Sequence, residues 1–157
     1  MLKQHPHKTL IDYFAYGSNM NPRRMIERGV IFYSRRRLVL PGYDLKFNKA
    51  HSQIPNAGAA NIVSDQSAQV EGALYKITFQ GICNLDKFEG YPTEYERVSL
   101  QVNLGRENIH RIITYIAKPD KVKDGLLPRG EYLRHLLAAR DILSPEYYTK
   151  LKATQTL

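Results

Sequence analysis

The sequence predicts an α+β fold: a small, mixed, largely antiparallel sheet that closes into a β-barrel, with short helices at its periphery. Three observations predict it. Polar and apolar residues alternate strictly from Arg97 to Leu104, and a turn at residues 105–108 leads into a second apolar run, Ile109–Ala117, the pattern of a hairpin. Tyr43, Leu45 and Phe47 alternate with Asp44, Lys46 and Asn48, as in a strand with one buried face. Helical spacing is confined to short stretches with no regular strand–helix alternation, so nothing points to βαβ units and a parallel sheet.

Taken in order, residues 1–9 read as a flexible leader. Residues 10–157 read as a single domain, because no repeat or composition break divides them. Ile11–Ala15 is a first apolar strand. It stops at Tyr16-Gly17-Ser18-Asn19-Met20, after which Asn21 caps a short helix with Pro22 at its first position and Gly29 beyond its end. Met25 and Ile26 are its expected inward residues. Residues 30–40 form a long strand interrupted by Arg35, Arg36 and Arg37. Alternation turns one of these inward, as a substrate clamp or as half of a structural ion pair. Pro41-Gly42 then turns the chain. Residues 49–58 read as a polar loop. Residues 59–63 form a short run of small apolar residues, suited to tight packing or to the close approach of a ligand. Residues 69–77 form a strand with Gly72 at a bulge or close approach. Ile82, Leu85 and Phe88 recur at helical spacing, and Gly90 ends that helix. Glu89 therefore sits at a helix C-terminus, where the dipole raises a carboxyl pKa. After a loop at residues 118–130, Leu133, Leu136 and Leu137 mark one more helix, and Ser144-Pro145-Glu146 starts the last.

Composition narrows the function. No apolar run approaches the roughly 20 residues that cross a bilayer, and the polar start carries no apolar segment of signal-peptide length. Cys83 is the single cysteine, which excludes an intrachain disulfide and a multi-cysteine metal site. A soluble cytoplasmic protein is expected. The formal charge of +8 is scattered, without an RNP-type motif, zinc-finger spacing or basic helix, so nucleic acid is offered only net charge. Eleven tyrosines and no tryptophan supply hydroxyls to a small-molecule pocket or to the core.

The chemistry-bearing residues are few. Gly17-Ser18-Asn19 lacks the second glycine of a nucleophile elbow, Cys83 has no recognisable histidine partner, and the five histidines show no HExxH spacing. The expected site therefore holds no metal and no cofactor. Two stretches remain. The strand that ends at residues 16–19 exposes successive backbone N–H groups, a nest suited to a carboxylate or oxyanion, or else an ordinary capped turn. The second stretch is Leu85-Asp86-Lys87-Phe88-Glu89-Gly90, with one carboxylate at its end.

Phe14-Ala15-Tyr16-Gly17-Ser18-Asn19-Met20, with Leu85-Asp86-x-x-Glu89-Gly90 and then Tyr95, resembles the γ-glutamylcyclotransferase-like (AIG2-like) family. The resemblance runs from residue 12 to about residue 135. It implies a small mixed β-barrel with helices around it. It implies that Tyr16, Gly17, Ser18 and Asn19 floor the pocket and bind substrate through backbone N–H groups, that Glu89 is the catalytic acid/base, and that Tyr95 and Tyr115 line the substrate site, with Tyr132 a further candidate. The loop is Tyr-Gly-Ser-Asn, unlike the Tyr-Gly-Ser-Leu of the glutathione-specific branch, which argues against glutathione as the preferred substrate.

The reaction implied is intramolecular. The α-amine of a γ-glutamyl amide attacks its own side-chain carbonyl, yielding 5-oxoproline and a free amine with no cofactor. The expected partner is a small γ-glutamyl amine or amino acid. Two further readings stand beside it: a non-catalytic small-molecule-binding barrel, and removal of a γ-glutamyl group from a larger amine during biosynthesis. The sequence leaves the amine partner and the oligomeric state open.

Overall fold

The computed structural model describes residues 9–105 and 108–157. Residues 1–8 of the expected leader, and residues 106 and 107 of the expected hairpin turn, lie outside them. Five strands form one sheet in the order β2-β3-β1-β5-β4: β1 Ile11–Ala15, β2 Phe32–Ala50, β3 Gly58–Ile77, β4 Tyr95–Asn103 and β5 Ile109–Ala117. β1 lies at the centre, antiparallel to β3 and parallel to β5. All other pairings are antiparallel. The α+β, largely antiparallel class is therefore observed.

The expected closure into a barrel is not. β2 and β4 remain at the two edges of the ladder. The first half of β3 is instead tied to the far strands by single side chains: Asn61 accepts from the Ala117 N–H at 2.9 Å, and the Tyr95 hydroxyl donates to the Ala60 carbonyl at 2.8 Å. One face of β1, with Tyr13 and Ala15, packs on Met25, Leu85 and Leu136 from the helices. The other, with Phe14 and Tyr16, packs on Ala60, Ile62, Val70 and Leu74 of β3 and on Leu38 and Leu40 of β2. The bent β2–β3 hairpin thus covers one side of the sheet, and the helices cover the other.

The hairpin also corrects the strand lengths. Pro41-Gly42 does not turn the chain but falls at a register shift inside β2, where Gly42 takes φ 84°. Residues 59–63 and 69–77 belong to one continuous strand, and pairing runs on to Ala50↔Gly58, well into the expected loop. A bulge absorbs the glycine because both flanking halves keep an antiparallel partner. Gly72 makes the close approach expected: a Cβ there would sit 2.3 Å from the Ala15 carbonyl oxygen.

The helices are short and capped by sequence. α1 (Pro22–Glu27) starts at Asn21, whose side chain accepts from the Arg23 N–H. Met25 is fully buried, whereas Ile26 is 66% exposed, correcting the expectation that both point inward. α2 (Phe79–Glu89) starts at Thr78 and ends at Gly90, which takes φ 66°. Ile82 and Leu85 are buried but Phe88 is exposed, because the last turn runs out over the mouth of a cavity. α3 (Gly130–Leu137) and α4 (Pro145–Lys152) complete the chain. Ser144, the α4 cap, is bound through its N–H and hydroxyl to the buried Glu71 carboxylate at 2.8 and 2.6 Å. Among the described residues no helix is long and apolar enough to cross a membrane.

Candidate active site

The end of β1 and the end of α2 meet at one cavity of about 330 Å³. Tyr16, Gly17, Ser18, Asn19, Glu89, Tyr95 and Tyr115, all singled out in the sequence, line it together. Beyond β1 the chain makes a single 3-10 turn, Ser18–Met20, closed by the Met20 N–H donating to the Gly17 carbonyl at 3.0 Å. Among the described residues no intrachain acceptor takes the N–H groups of Gly17, Ser18 or Asn19. Close packing leaves little room for a side chain at Gly17. A Cβ there would lie 3.0 Å from the Ala60 Cβ and 3.1 Å from the Tyr132 hydroxyl.

Asn19 joins the two motifs. Its buried side chain donates to the Tyr13 hydroxyl at 3.0 Å and to Glu89 Oε1 at 2.9 Å, and its Oδ1 accepts from Arg28 at 2.9 Å. The Tyr75 hydroxyl holds its main chain, donating to the Asn19 carbonyl at 2.8 Å. Arg28 also stands 3.5 Å from Glu89 Oε1 and lies over the Phe88 ring.

Burial raises the Glu89 carboxyl pKa, and Arg28, the Asn19 hydrogen bond, Arg24 and Lys49 oppose the rise. The direction is the one expected from the sequence, with desolvation leading. Such a carboxylate is a stronger base than an exposed one.

The tyrosines divide by what they do with their protons. Tyr16 donates to the Tyr115 carbonyl, Tyr95 to the Ala60 carbonyl, and Tyr115 to Asp86 Oδ1 at 2.6 Å. Asp86 is also held by Arg97. Asp86 and Glu89 are three residues apart on one helix face, so this clamp sets the last turn of α2. Tyr13 and Tyr132 instead use their hydroxyl oxygens as acceptors, from Asn19 and from the Ala60 N–H. Burial pushes the Tyr132 phenol up to about 12, so it is a neutral donor at physiological pH.

Several lining residues escaped the sequence reading: Tyr13, Arg24, Arg28 and Lys49. Tyr13 is masked inside an apolar strand. Arg24 and Arg28 sit one turn apart on α1 and at its end, a spacing that signals a shared face but not what the face meets. Lys49 falls in the expected polar loop, yet it lies in the last residues of β2, is buried, and pairs with Glu94 at 2.9 Å. The arginine triplet resolves as a structural ion pair: Arg35 lies 2.7 Å from Asp141 and also donates to the Met20 carbonyl. Cys83 is half-buried and free. Among the described residues no cluster of His, Cys, Asp and Glu is placed to hold a metal.

Comparisons with known proteins bear on the family and the fold. The family model for gamma-glutamyl cyclotransferase, AIG2-like, matches residues 13–134. YkqA of Bacillus subtilis, whose name assigns it provisionally to the gamma-glutamylcyclotransferases, is 29% identical over 150 residues. The alignment takes in 92% of this chain and 52% of YkqA, so the chain spans about half the length of the curated relative it matches. The crystal structure of YkqA superposes with TM-score 0.81 and 28% identity, covering 96% of this chain and 57% of the other. An uncharacterized protein from Homo sapiens superposes with TM-score 0.78 and 25% identity, covering 94% and 89%. The glutathione-specific enzyme from yeast shares the fold at 14% identity, with TM-score 0.63 over 91% and 94%.

Proposed function

The chain belongs to the gamma-glutamyl cyclotransferase, AIG2-like family, and on that premise we propose that it cyclises a γ-glutamyl amide to 5-oxoproline and a free amine. One observation carries the proposal. The Glu89 carboxylate is held by Asn19 at 2.9 Å, and Glu89 lines one cavity with residues 17–19, whose N–H groups take no intrachain acceptor among the described residues. A base and a set of oxyanion donors are the two things this reaction needs.

Glu89 accepts a proton from the substrate α-ammonium. The freed amine nitrogen attacks the γ-carbonyl carbon, the new C–N bond closes a five-membered ring, and the carbonyl oxygen takes up negative charge. The amides of residues 17–19 stabilise that charge or hold the substrate α-carboxylate. When the intermediate collapses, the old C–N bond breaks as Glu89 returns its proton to the departing amine; the ring nitrogen then gives up its second proton, through the freed Glu89 carboxylate, to that amine, leaving the neutral lactam and an ammonium. Nucleophile and electrophile lie within one molecule, so the pocket acts mainly by folding the substrate; effective molarity supplies about 7–11 kcal/mol in favourable cases. The raised pKa of Glu89 suits a group that must both take and return a proton. The Tyr132 hydroxyl, with its oxygen bound by the Ala60 N–H, offers its proton to the substrate.

Release of 5-oxoproline from a panel of γ-glutamyl dipeptides and γ-glutamyl amines tests this. Turnover of at least one member above the uncatalysed rate is expected. Uncatalysed rates across the whole panel would overturn the reading.

A further inference from the structure

Arg28 stands where the two halves of the site meet. It ends α1, where its N–H donates to the Arg24 carbonyl at 3.0 Å. Its side chain is 13% exposed and reaches two other segments. Nη1 donates to Asn19 Oδ1 at 2.9 Å and lies 3.5 Å from Glu89 Oε1, and the guanidinium carbon lies 4.9 Å from the centre of the Phe88 ring. One cation thus holds both the turn after β1 and the last turn of α2.

The contact with Asn19 fixes a direction as well as a distance. A guanidinium has donors and no acceptor, so it meets only the oxygen of the Asn19 amide. The Asn19 nitrogen is then turned to Tyr13 and to Glu89 Oε1. With the amide reversed, its oxygen would face the carboxylate and its nitrogen the guanidinium, two mismatches among half-buried groups. Arg28 therefore sets the orientation of the amide that binds the base. Asn19 and Arg28 both act on Oε1, and among the described residues Oε2 takes no hydrogen bond.

The other charges around Glu89 have partners of their own or lie on its own helix. Lys49 pairs with Glu94 at 2.9 Å, and Arg24 Nη1 lies 3.3 Å from His135 Nε2. Asp86, one turn back on α2, is held by Arg97 and Tyr115. Lys87 lines the cavity from the same turn of α2. His51 lines it too, its Nδ1 accepting from the Gln53 and Ile54 N–H groups at 3.1 and 3.0 Å. Burial raises the phenols of Tyr13, Tyr16, Tyr95, Tyr115 and Tyr132, which are neutral at physiological pH. Burial also raises the Glu89 carboxyl, and Arg28 is the foremost of the groups that oppose the rise.

Resting on the cyclisation reading, we propose that Arg28 is a positioning residue for the reaction: it aligns Asn19, anchors the Glu89 carboxylate through Oε1, and leaves Oε2 to take and return the proton. It acts through these two residues and not on the substrate. An anchored carboxylate keeps one geometry through successive proton transfers, as a group that must stay within hydrogen-bond reach of the reacting nitrogens requires.

The test follows two quantities in the wild type, Arg28→Gln and Arg28→Lys: the acid limb of the pH profile of kcat, with the γ-glutamyl dipeptide that turns over fastest, and the titration of the Glu89 carboxyl carbon by NMR. Loss of a facing positive charge makes a carboxylate harder to form. In Arg28→Gln both the limb and the titration are expected at higher pH, with kcat lowered roughly tenfold or more below the limb and KM near wild type. Arg28→Lys brings both part of the way back, since it restores the charge without the planar fork. A merely structural role would lower the melting curve and leave the titration in place. Should Arg28→Gln fail to fold, the wild type decides: its Asn19 side-chain amide and Arg28 guanidinium resonances are expected to move at the same pH as Glu89. A Glu89 titration indifferent to Arg28, or Asn19 and Arg28 resonances indifferent to Glu89, would overturn the proposal. A raised KM with kcat unchanged would overturn it as well, by placing Arg28 on the substrate. A titration that follows Arg28, with no 5-oxoproline released by any of the three proteins, would support the positioning and overturn the cyclisation.

Discussion

The two walls of the cavity differ in how much of their own polarity the protein satisfies. On the side built by the end of α2 with β4 and β5, most groups are already engaged. Asp86 is bound by Tyr115 and Arg97, Glu89 by Asn19 and Arg28, and the hydroxyls of Tyr16 and Tyr95 by main-chain carbonyls. On the side where α1 faces α3, Arg24 keeps a buried Nε without a partner, and His135 stands between two donors. The difference separates two tasks. A saturated network holds one carboxylate and a stretch of backbone in fixed geometry, because any departure leaves buried groups unpaired. A wall with surplus donors leaves its pairing to a ligand and thereby selects among ligands.

Removing the base from the saturated wall should have the largest effect. Glu89→Gln keeps an acceptor for Asn19 but cannot carry a proton, so kcat is expected to fall at least about 100-fold, with the melting curve retained. A rate close to wild type would show that Glu89 is not the acid/base. The same substitution has a pH signature. The native Glu89 pKa is raised by burial, so the native state binds this proton more tightly than the unfolded chain. The stability this contributes is fully present below the unfolded carboxyl pKa and is lost as pH rises through the raised native value. Activity runs the opposite way over that window, because catalysis needs the carboxylate. Glu89→Gln should remove this component of the pH dependence of chemical denaturation.

Crowding the floor comes next. In Gly17→Ala the added methyl meets the Ala60 Cβ at 3.0 Å and the Tyr132 hydroxyl at 3.1 Å. Neither yields freely, since Ala60 is in β3 and its N–H binds Tyr132. A loss of about 1–3 kcal/mol is expected from overpacking, together with weaker substrate binding as the amides of residues 17–19 shift. Denaturant melts and KM measure the two effects separately, and wild-type values for both would show that the floor is looser than its contacts imply.

The smallest effect is expected from trimming one hydrogen bond. Tyr115→Phe leaves Asp86 with Arg97 but without its hydroxyl donor, at a cost of about 1 kcal/mol. Because Asp86 sets the last turn of α2, kcat should fall modestly while KM stays near its wild-type value. A raised KM with unchanged kcat would reverse the division between the two walls.

Much of this was legible in the chain, and the particulars show why. The caps at Asn21 and Ser144 and the stop at Gly90 are local events, decided within a few residues by side-chain size and hydrogen-bonding reach. The two motifs were legible for a related reason: each occupies a few consecutive positions. Strand length was not, because Pro41-Gly42 reads as a turn until the pairing partner on the other side of the bulge is known. Ile26 and Phe88 carried the right spacing for burial and are exposed, since periodicity gives a face but not what covers it.

By itself, then, the sequence determined where several helices start or stop, the largely antiparallel class, and which short stretches carry an isolated carboxylate and a strand-ending glycine turn. Only the tertiary structure decided that these stretches share one cavity, that the sheet stays open at its edges, and which tyrosine hydroxyls are already engaged. Tyr16 meets the Tyr115 carbonyl across 99 residues of chain, and Asn19 meets Glu89 across 70. Contacts at that separation are set by packing the whole core, which no local pattern encodes.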